Sequence, residues 1–282
     1  MNPTGTAGLG LMSATSWGGS DFLGGMGARR APALLVVASG HFVTLLILLG
    51  ICLGAHLALP GRHDLLFAAV GGFEGAIALA LFYRALAMGA MGLTAALTGL
   101  LTAVVPVLFS MIAEGLPTRT TALGLATGLA AIALITLPSR NPGKKDSTPP
   151  AALLLGALAG VGFGTQLILF KIAGGGSVLW TMTAARGAGV AAMVLVLLAA
   201  PPKGAWRGFW VFGVSAGVLD TLGNLLYIET TRAGRLDVAA VICSLYPAGT
   251  ILLAAVVLRE WPTLRQFAGI GLALGAVALL SV

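Results

Sequence analysis

Gly208–Thr231, GFWVFGVSAGVLDTLGNLLYIETT, is the stretch that decides how the chain folds. It is apolar over a length that crosses a bilayer, which takes about 20 residues of helix. Asp220 sits near its middle, with Asn224 and Tyr227 following at i+4 and i+7. That spacing sets all three on one helical face. A carboxylate at the bilayer centre costs about 3 kcal/mol or more, so such residues face a bundle interior or a wet cavity and mark a pathway.

The rest of the composition is of the same kind. The chain has 282 residues, 58% hydrophobic and 9% charged, where a soluble domain carries about 25% charged residues. The formal net charge is +7. On a soluble face such an excess suggests nucleic acid. Here the basic residues lie mostly between apolar runs, where they set topology, so the expected partner is the lipid bilayer and no nucleic acid. Cys52 and Cys243 lie inside apolar runs, with no metal spacing and no disulfide framework. The opening residues, MNPTGTAGLGLMSATSWGGSDF, lack a positively charged start and carry an acid. They read as a retained first helix and not as a cleaved signal peptide.

Ten apolar runs follow one another: Gly5–Gly27, Ala33–Leu53, Leu65–Ala87, Gly92–Ala113, Thr121–Leu137, Ala152–Ile172, Val178–Leu198, Gly208–Thr230, Val238–Leu258 and Leu264–Leu280. Only helices or closed barrels satisfy backbone groups in lipid, and the period-two alternation of a barrel is absent. The expected fold is an all-α integral membrane protein of ten transmembrane helices. The segment 138–150, PSRNPGKKDSTPP, is a polar linker that divides the runs into five (residues 1–137) and five (residues 151–282).

The two halves resemble each other weakly. FYRALA and then EGLPT in the first correspond to LYIETT and then REWPT in the second. Tyr83 thereby matches Tyr227, and Glu114 matches Glu260 before the Pro117-Thr118 and Pro262-Thr263 pairs. Trp17-Gly18 resembles Phe163-Gly164. An odd number of spans per half inverts the second half, which predicts two inverted five-helix repeats.

At these residues the chain resembles the drug/metabolite transporter superfamily, in its ten-helix EamA-type branch. The features that carry the resemblance are WGGSDF with Asp21, Arg29-Arg30, FYRALA, SLYPAGT and the Glu-Pro-Thr-like junctions. The resemblance implies a small-molecule transporter, commonly an exporter, with a central cavity formed by the first, third, fourth, sixth, eighth and ninth helices. It implies no particular substrate. Members usually have both termini cytoplasmic. Here Arg29, Arg30, Arg140, Lys144, Lys145, Lys203, Arg207, Arg259 and Arg265 fall on one side, and Arg62, Arg119, Lys171, Arg232 and Arg235 on the other. The positive-inside rule then places both termini outside a bacterial inner membrane.

The candidates for a substrate or proton pathway are Trp17, Asp21, Glu74, Arg186, Asp220, Asn224 and Tyr227. A buried acid can titrate near neutral pH and couple protons to transport, and no other cofactor is expected. The bland reading of each acid is a structural ion pair or hydrogen-bond cluster, and the partner of Arg186 is Asp21, Glu74 or Asp220. Candidate cavity-lining residues are His41, Tyr83, Thr98, Gln166, Trp180 and Tyr246, with Thr94, Thr98 and Thr102 spaced as one helical stripe. Pro106 and Pro247 each remove a helical hydrogen bond and are candidate hinges. Gly124-xxx-Gly128 and Gly271-xxx-Gly275 read as packing faces of a monomer, with a homodimer the alternative.

No GxSxG, HExxH, Walker loop or cysteine cluster is present, so neither an enzyme nor an ATP-driven pump is expected. The expected activity is export of a small organic metabolite or drug by alternating access, by proton antiport through Asp21, Glu74 or Asp220. The rival readings are an uncoupled facilitator and a membrane scaffold or receptor without transport.

Overall fold

The computed structural model describes residues 3–88, 91–136, 149–202, 208–257 and 263–281. The linker residues 138–148, Glu260, Pro262 and the basic residues Arg140, Lys144, Lys145, Lys203, Arg207 and Arg259 lie outside them. Every apolar run forms helix: α1 (Pro3–Ala28), α2 (Ala33–Gly54), α3 (Arg62–Ala87), α4 (Met91–Ala113), α5 (Arg119–Thr136), α6 (Pro150–Ile172), α7 (Val178–Ala199), α8 (Phe209–Ala233), α9 (Leu236–Cys243), α10 (Tyr246–Val257) and α11 (Leu264–Leu280).

The ninth run is not one helix, contrary to the sequence reading. It ends as α9 at Cys243 and restarts as α10 at Tyr246. Pro247 is the cause: it has no N–H to continue the ladder, and its ring excludes the carbonyl a turn back, so it is accommodated in the first turn of a new helix. The joint is closed by tighter bonds, Leu245 N to Ile242 O at 3.2 Å and Ala248 N to Leu245 O at 3.0 Å. Pro106, by contrast, lies inside α4 without ending it.

Among the described residues, five helical segments are long and apolar enough to cross a membrane: Ala33–Gly54, Arg62–Leu86, Pro150–Gly175, Val178–Ala199 and Phe209–Ala233. Leu97–Ala113, Arg119–Ile135, Leu236–Thr250 and Leu264–Leu280 are shorter apolar stretches. The first expected span, α1, is rich in glycine, serine and threonine, and it packs against α8, α9 and α10. The exposure pattern is that of a protein dissolved in lipid. Ile112, Leu116, Leu198, Val256 and Leu264 are each at least 76% exposed, whereas Ser13, Thr98, Thr181, Thr230 and Asp237 are fully buried. In water such a surface would drive aggregation; against hydrocarbon it costs nothing.

The helix pairings fall into matched sets. The α1 helix packs on α8 as α6 packs on α3, α1 packs on α9 and α10 as α6 packs on α4, and α8 meets α2 as α3 meets α7. The remaining large pairs are α2 with α7 and α5 with α11.

Without a hydrophobic force between helices in lipid, close backbone approach must hold these pairs together. At Gly72 a Cβ would lie 2.1 Å from the carbonyl oxygen of Ala185, so α3 and α7 meet backbone to backbone. Gly217 and Gly40 meet likewise, at 2.5 Å from such a Cβ to Cα. Gly72→Leu is expected to cost more than the ~1–3 kcal/mol of ordinary overpacking, read as loss of the monodisperse peak in detergent, while Gly271→Leu, with open space around it, is expected to be silent. Gly124 and Gly128 face Leu280 and Val241 inside the chain, whereas Gly271 and Gly275 are exposed.

A polar cavity between the helices

The described helices line a cavity of about 40 Å³. Trp17 and Asp21 of α1, Gln166 of α6, Asp220 and Asn224 of α8 and Tyr246 of α10 line it. Leu79, Thr102, Phe163 and Leu167 complete the wall. At about 10–15 Å³ per water it holds roughly three waters.

Glycines on facing helices make room for the large side chains here. A Cβ on Gly223 would lie 2.5 Å from the Trp17 ring, one on Gly75 would lie 1.8 Å from Gln166, one on Gly189 would lie 2.4 Å from His41, and one on Gly24 would lie 2.1 Å from Tyr83. Each bulky or polar group is thus seated in a notch cut by a missing side chain. Trp17 in turn stacks beside Tyr227, centroids 5.8 Å apart, and meets Tyr246 edge-on at 6.3 Å.

Arg186 is 2% exposed. Its Nη2 donates to Asp220 Oδ2 in an ion pair, and its Nη1 lies 2.9 Å from His41 Nε2. Arginine has only donors, so Nε2 accepts. His41 Nδ1 then carries the proton and donates to Val37 O at 3.1 Å. The histidine is therefore the neutral Nδ1–H tautomer, and Asp220 alone balances the arginine charge. Of the three acids considered for Arg186, the structure selects Asp220, and it adds His41 to the network. Arg186 Nε is buried without a partner among the described residues.

Asp21 differs from Asp220. It lines the same cavity, and no described group donates a hydrogen bond to its carboxylate. Glu74 is elsewhere. It is half-buried on α3 beside Gly162 of α6, and it is not part of the cavity lining.

The face Asp220, Asn224, Tyr227 divides. Asp220 and Asn224 reach the cavity, and Asn224 Nδ2 donates to Asp220 O at 2.7 Å. Tyr227 is fully buried behind Trp17 and donates to Leu167 O on α6 at 2.9 Å. Tyr83 does the same in the other half, donating to Ser20 O on α1 at 3.4 Å. Tyr83 and His41 line a second, smaller space of about 10 Å³ that also reaches Asp220. Tyr227→Phe is expected to lower stability by about 1 kcal/mol without changing ligand affinity. A thermal melt paired with a binding curve separates the two.

Thr98 and Trp180 do not line the cavity. Thr98 Oγ1 donates to Gly156 O at 2.8 Å and clamps α4 to α6, while Thr102, one turn on, is the threonine that faces inward. Trp180 Nε1 donates to Leu57 O at 2.9 Å and ties the α2–α3 loop to the start of α7. The sequence reading left Phe163 off the lining, although the match of Phe163-Gly164 to Trp17-Gly18 pointed there, while Thr102 is the member of the threonine stripe that reaches the cavity.

One end of the bundle is sealed by a polar network. Glu114, after α4, accepts from Ser110 Oγ at 2.7 Å and from Leu236 N at 2.9 Å, and lies 3.7 Å from Lys171 Nζ. Lys171, at the end of α6, also donates to Thr231 O and Gly234 O. Arg235 donates to Glu114 O at 3.3 Å and Gly115 O at 2.8 Å and pairs with buried Asp237 at 2.8 Å, which raises the guanidinium pKa above its ordinary value. Arg232 binds Gly174 O and Gly176 O. Lys171 thus crosses to α8 instead of snorkelling into solvent.

A helical bundle with this lipid-facing exposure pattern is a multi-pass integral membrane protein. Residues 150–282 match the model of the EamA-like transporter family. By that match the second half of the chain is similar to the EamA-like transporters of the drug/metabolite transporter superfamily. A solved crystal structure aligns over 98% of this chain and 96% of its own with a TM-score of 0.76 at 18% identity, which shows a shared fold. No curated protein matches.

Proposed function

We propose that this chain is a secondary transporter of a small organic solute, exporting it across the bacterial inner membrane by alternating access. The observation that carries the reading is the pairing of a cavity lined in part by Asp21, Gln166, Asp220 and Asn224 with a network that seals one end of the bundle. Glu114, Lys171 and Arg235 draw the ends of α4, α6 and α8 together there. A cavity of about 40 Å³ admits no metabolite as it stands, so transport requires this end or the other to open.

Two inverted repeats supply a route. The matched helix pairings and the two tyrosine-to-carbonyl bonds, Tyr83 to α1 and Tyr227 to α6, support that reading. Opposed halves can rock about a fixed site. The α9–α10 break before Pro247 is the better-placed hinge, since α4 runs unbroken through Pro106. Because helices alternate direction, the sealed end lies on the side of the termini. With the termini outside, as the basic residues suggest, it is the outer gate.

The test is flux. Proteoliposomes loaded with a mixture of small metabolites should lose particular compounds faster than protein-free vesicles do. Equal loss of every compound from both would contradict transport and favour a scaffold.

A further inference from the structure

The large pairings sort the helices into two groups. In one, α8 packs on α1 and α2, and α1 packs on α10; in the other, α3 packs on α6 and α7, and α6 packs on α4. The groups meet along α4 with α9 and along α2 with α7. The Glu114 network closes the first seam, through the bond from Leu236 N at the start of α9. No described residue of α2 or α7 belongs to that network. An opening at the sealed end therefore parts α4 from α9 and leaves α2 and α7 as the contact about which the groups can turn.

The register of α2 and α7 matches that of a two-fold pair. Each has 22 residues, so each is about 33 Å long at 1.5 Å per residue. His41 follows the first residue of α2, Ala33, by eight positions, and Arg186 follows the first residue of α7, Val178, by eight. The residues before them match as well: Gly40 meets the backbone of Gly217 on α8, and Ala185 meets the backbone of Gly72 on α3. With successive spans alternating in direction, α2 and α7 run antiparallel. His41 and Arg186 then lie equally far from opposite ends, and their contact falls near mid-depth.

Arg186 reaches across this seam. It stands in the α3 group, through α7, and both of its partners stand in the other: Asp220 on α8, and His41 Nε2 on α2 at 2.9 Å. At 2% exposure it cannot lose them cheaply, because a buried charge without partners carries an uncompensated desolvation cost. The α3 group offers it no acid at the matching place. Aligning Tyr83 with Tyr227 sets Ala76 of α3 where α8 has Asp220, and Ala76 does stand beside the site, its Cβ 3.3 Å from one placed on Gly189. The displacement of a rocking body is least at its axis, so a bond that must hold throughout the cycle belongs there.

We propose, building on the transport reading, that the His41–Arg186 contact is the pivot on which the two helix groups rock, with His41 as the positioning residue that holds α2 and α7 in register while the ends open in turn. The bond persists in both open states, whereas the Glu114 network is made in one and broken in the other. Holding the axis is what forces one end to close as the other opens. Without it both ends can part at once.

The experiment uses the full-length protein with Cys52 and Cys243 replaced by alanine. Leu45 lies one turn after His41 and Gly187 follows Arg186, with 3.9 Å between Leu45 Cδ1 and a Cβ on Gly187. Leu45→Cys with Gly187→Cys is joined by a short bis-methanethiosulfonate linker, and the link is checked by mass spectrometry. The joined protein should release the same compounds from metabolite-loaded proteoliposomes as the unjoined protein, at the same rate. For His41 the reporter is Asn224→Cys, labelled by a membrane-impermeant maleimide from each face of sealed vesicles. With His41 in place, Glu114→Ala should raise labelling at the sealed face and lower it at the other. His41→Leu removes the acceptor and should keep the rise and lose the fall. His41→Gln offers Arg186 an amide oxygen instead and should restore the fall. A purely structural histidine would lower the melting temperature of His41→Leu without uncoupling the faces. If His41→Leu does not fold, the joined pair decides. Loss of flux on joining α2 to α7, or an undiminished fall at the opposite face in His41→Leu, would each overturn the pivot and leave the transport reading standing. An unjoined protein that loses no compound faster than protein-free vesicles do would overturn the transport reading and the pivot together.

Discussion

Asp220→Ala is expected to destabilise the protein by about 3–5 kcal/mol, the usual cost of stranding one member of a buried ion pair. Arg186 is then left with its charge intact at 2% exposure. His41 cannot relieve it, since its Nε2 only accepts and the imidazole stays neutral. Arg186→Met should cost a similar amount by stranding Asp220, whose side chain is 17% exposed. The double variant, Arg186→Met with Asp220→Leu, should recover most of the loss, because an apolar pair of similar volume removes both desolvation penalties. Chemical unfolding in mixed micelles gives the three values. A double variant that merely adds the two single losses would mean the pair is not coupled, and its role would have to be sought in the cavity alone.

The second large effect concerns the sealed end. Glu114→Ala removes the acceptor used by Ser110, Leu236 N–H and Lys171 at once. Hydrogen bonds to charged groups contribute about 1.5–3 kcal/mol each, so the loss of even one of them should raise the ratio of open to closed states by roughly 10- to 150-fold. Hydrogen–deuterium exchange of Leu236 and its neighbours is expected to accelerate by that factor, with little change at the centre of α6 or α8. Uniform acceleration across the bundle would point to general loosening. Unchanged exchange at Leu236 would show the network is ornamental to closure.

The helices were legible because apolar length is a local property of sequence. Among the described residues all ten runs appear as helix, and the break at Ser244-Leu245, which the reading did not foresee, followed from weighing Pro106 and Pro247 alike. Nothing local tells them apart: each is a proline in an apolar run, and the α9 helix, buried except at Val238, packs against α4 and α1, where tertiary packing fixes the bend. Asp21, Asp220, Asn224, Trp17, Gln166 and Tyr246 were named from the chain and do meet at the cavity. They are costly or unusual residues inside apolar runs, and expense is visible in sequence. Which acid takes Arg186 was not visible, because it depends on the rotation of α7 against α8, set by glycine contacts far apart in the chain. Glu74 and Trp180 were the opposite case. Each is as polar or aromatic as its neighbours in the list of candidates, but Glu74 faces α6 outside the cavity, and the Trp180 indole is spent on Leu57 O.

The measurement closest to the central claim is two-sided labelling of the cavity. Cys52 and Cys243 are fully buried, and replacing both by alanine leaves Asn224→Cys as the reporter. In sealed vesicles of known orientation, a membrane-impermeant maleimide should reach this cysteine from either face. Adding Glu114→Ala should increase labelling from the sealed face and decrease it from the opposite face by a comparable factor, because opening one side of an alternating site closes the other. Labelling from one face only, or a rise from both faces together in Glu114→Ala, would contradict alternating access.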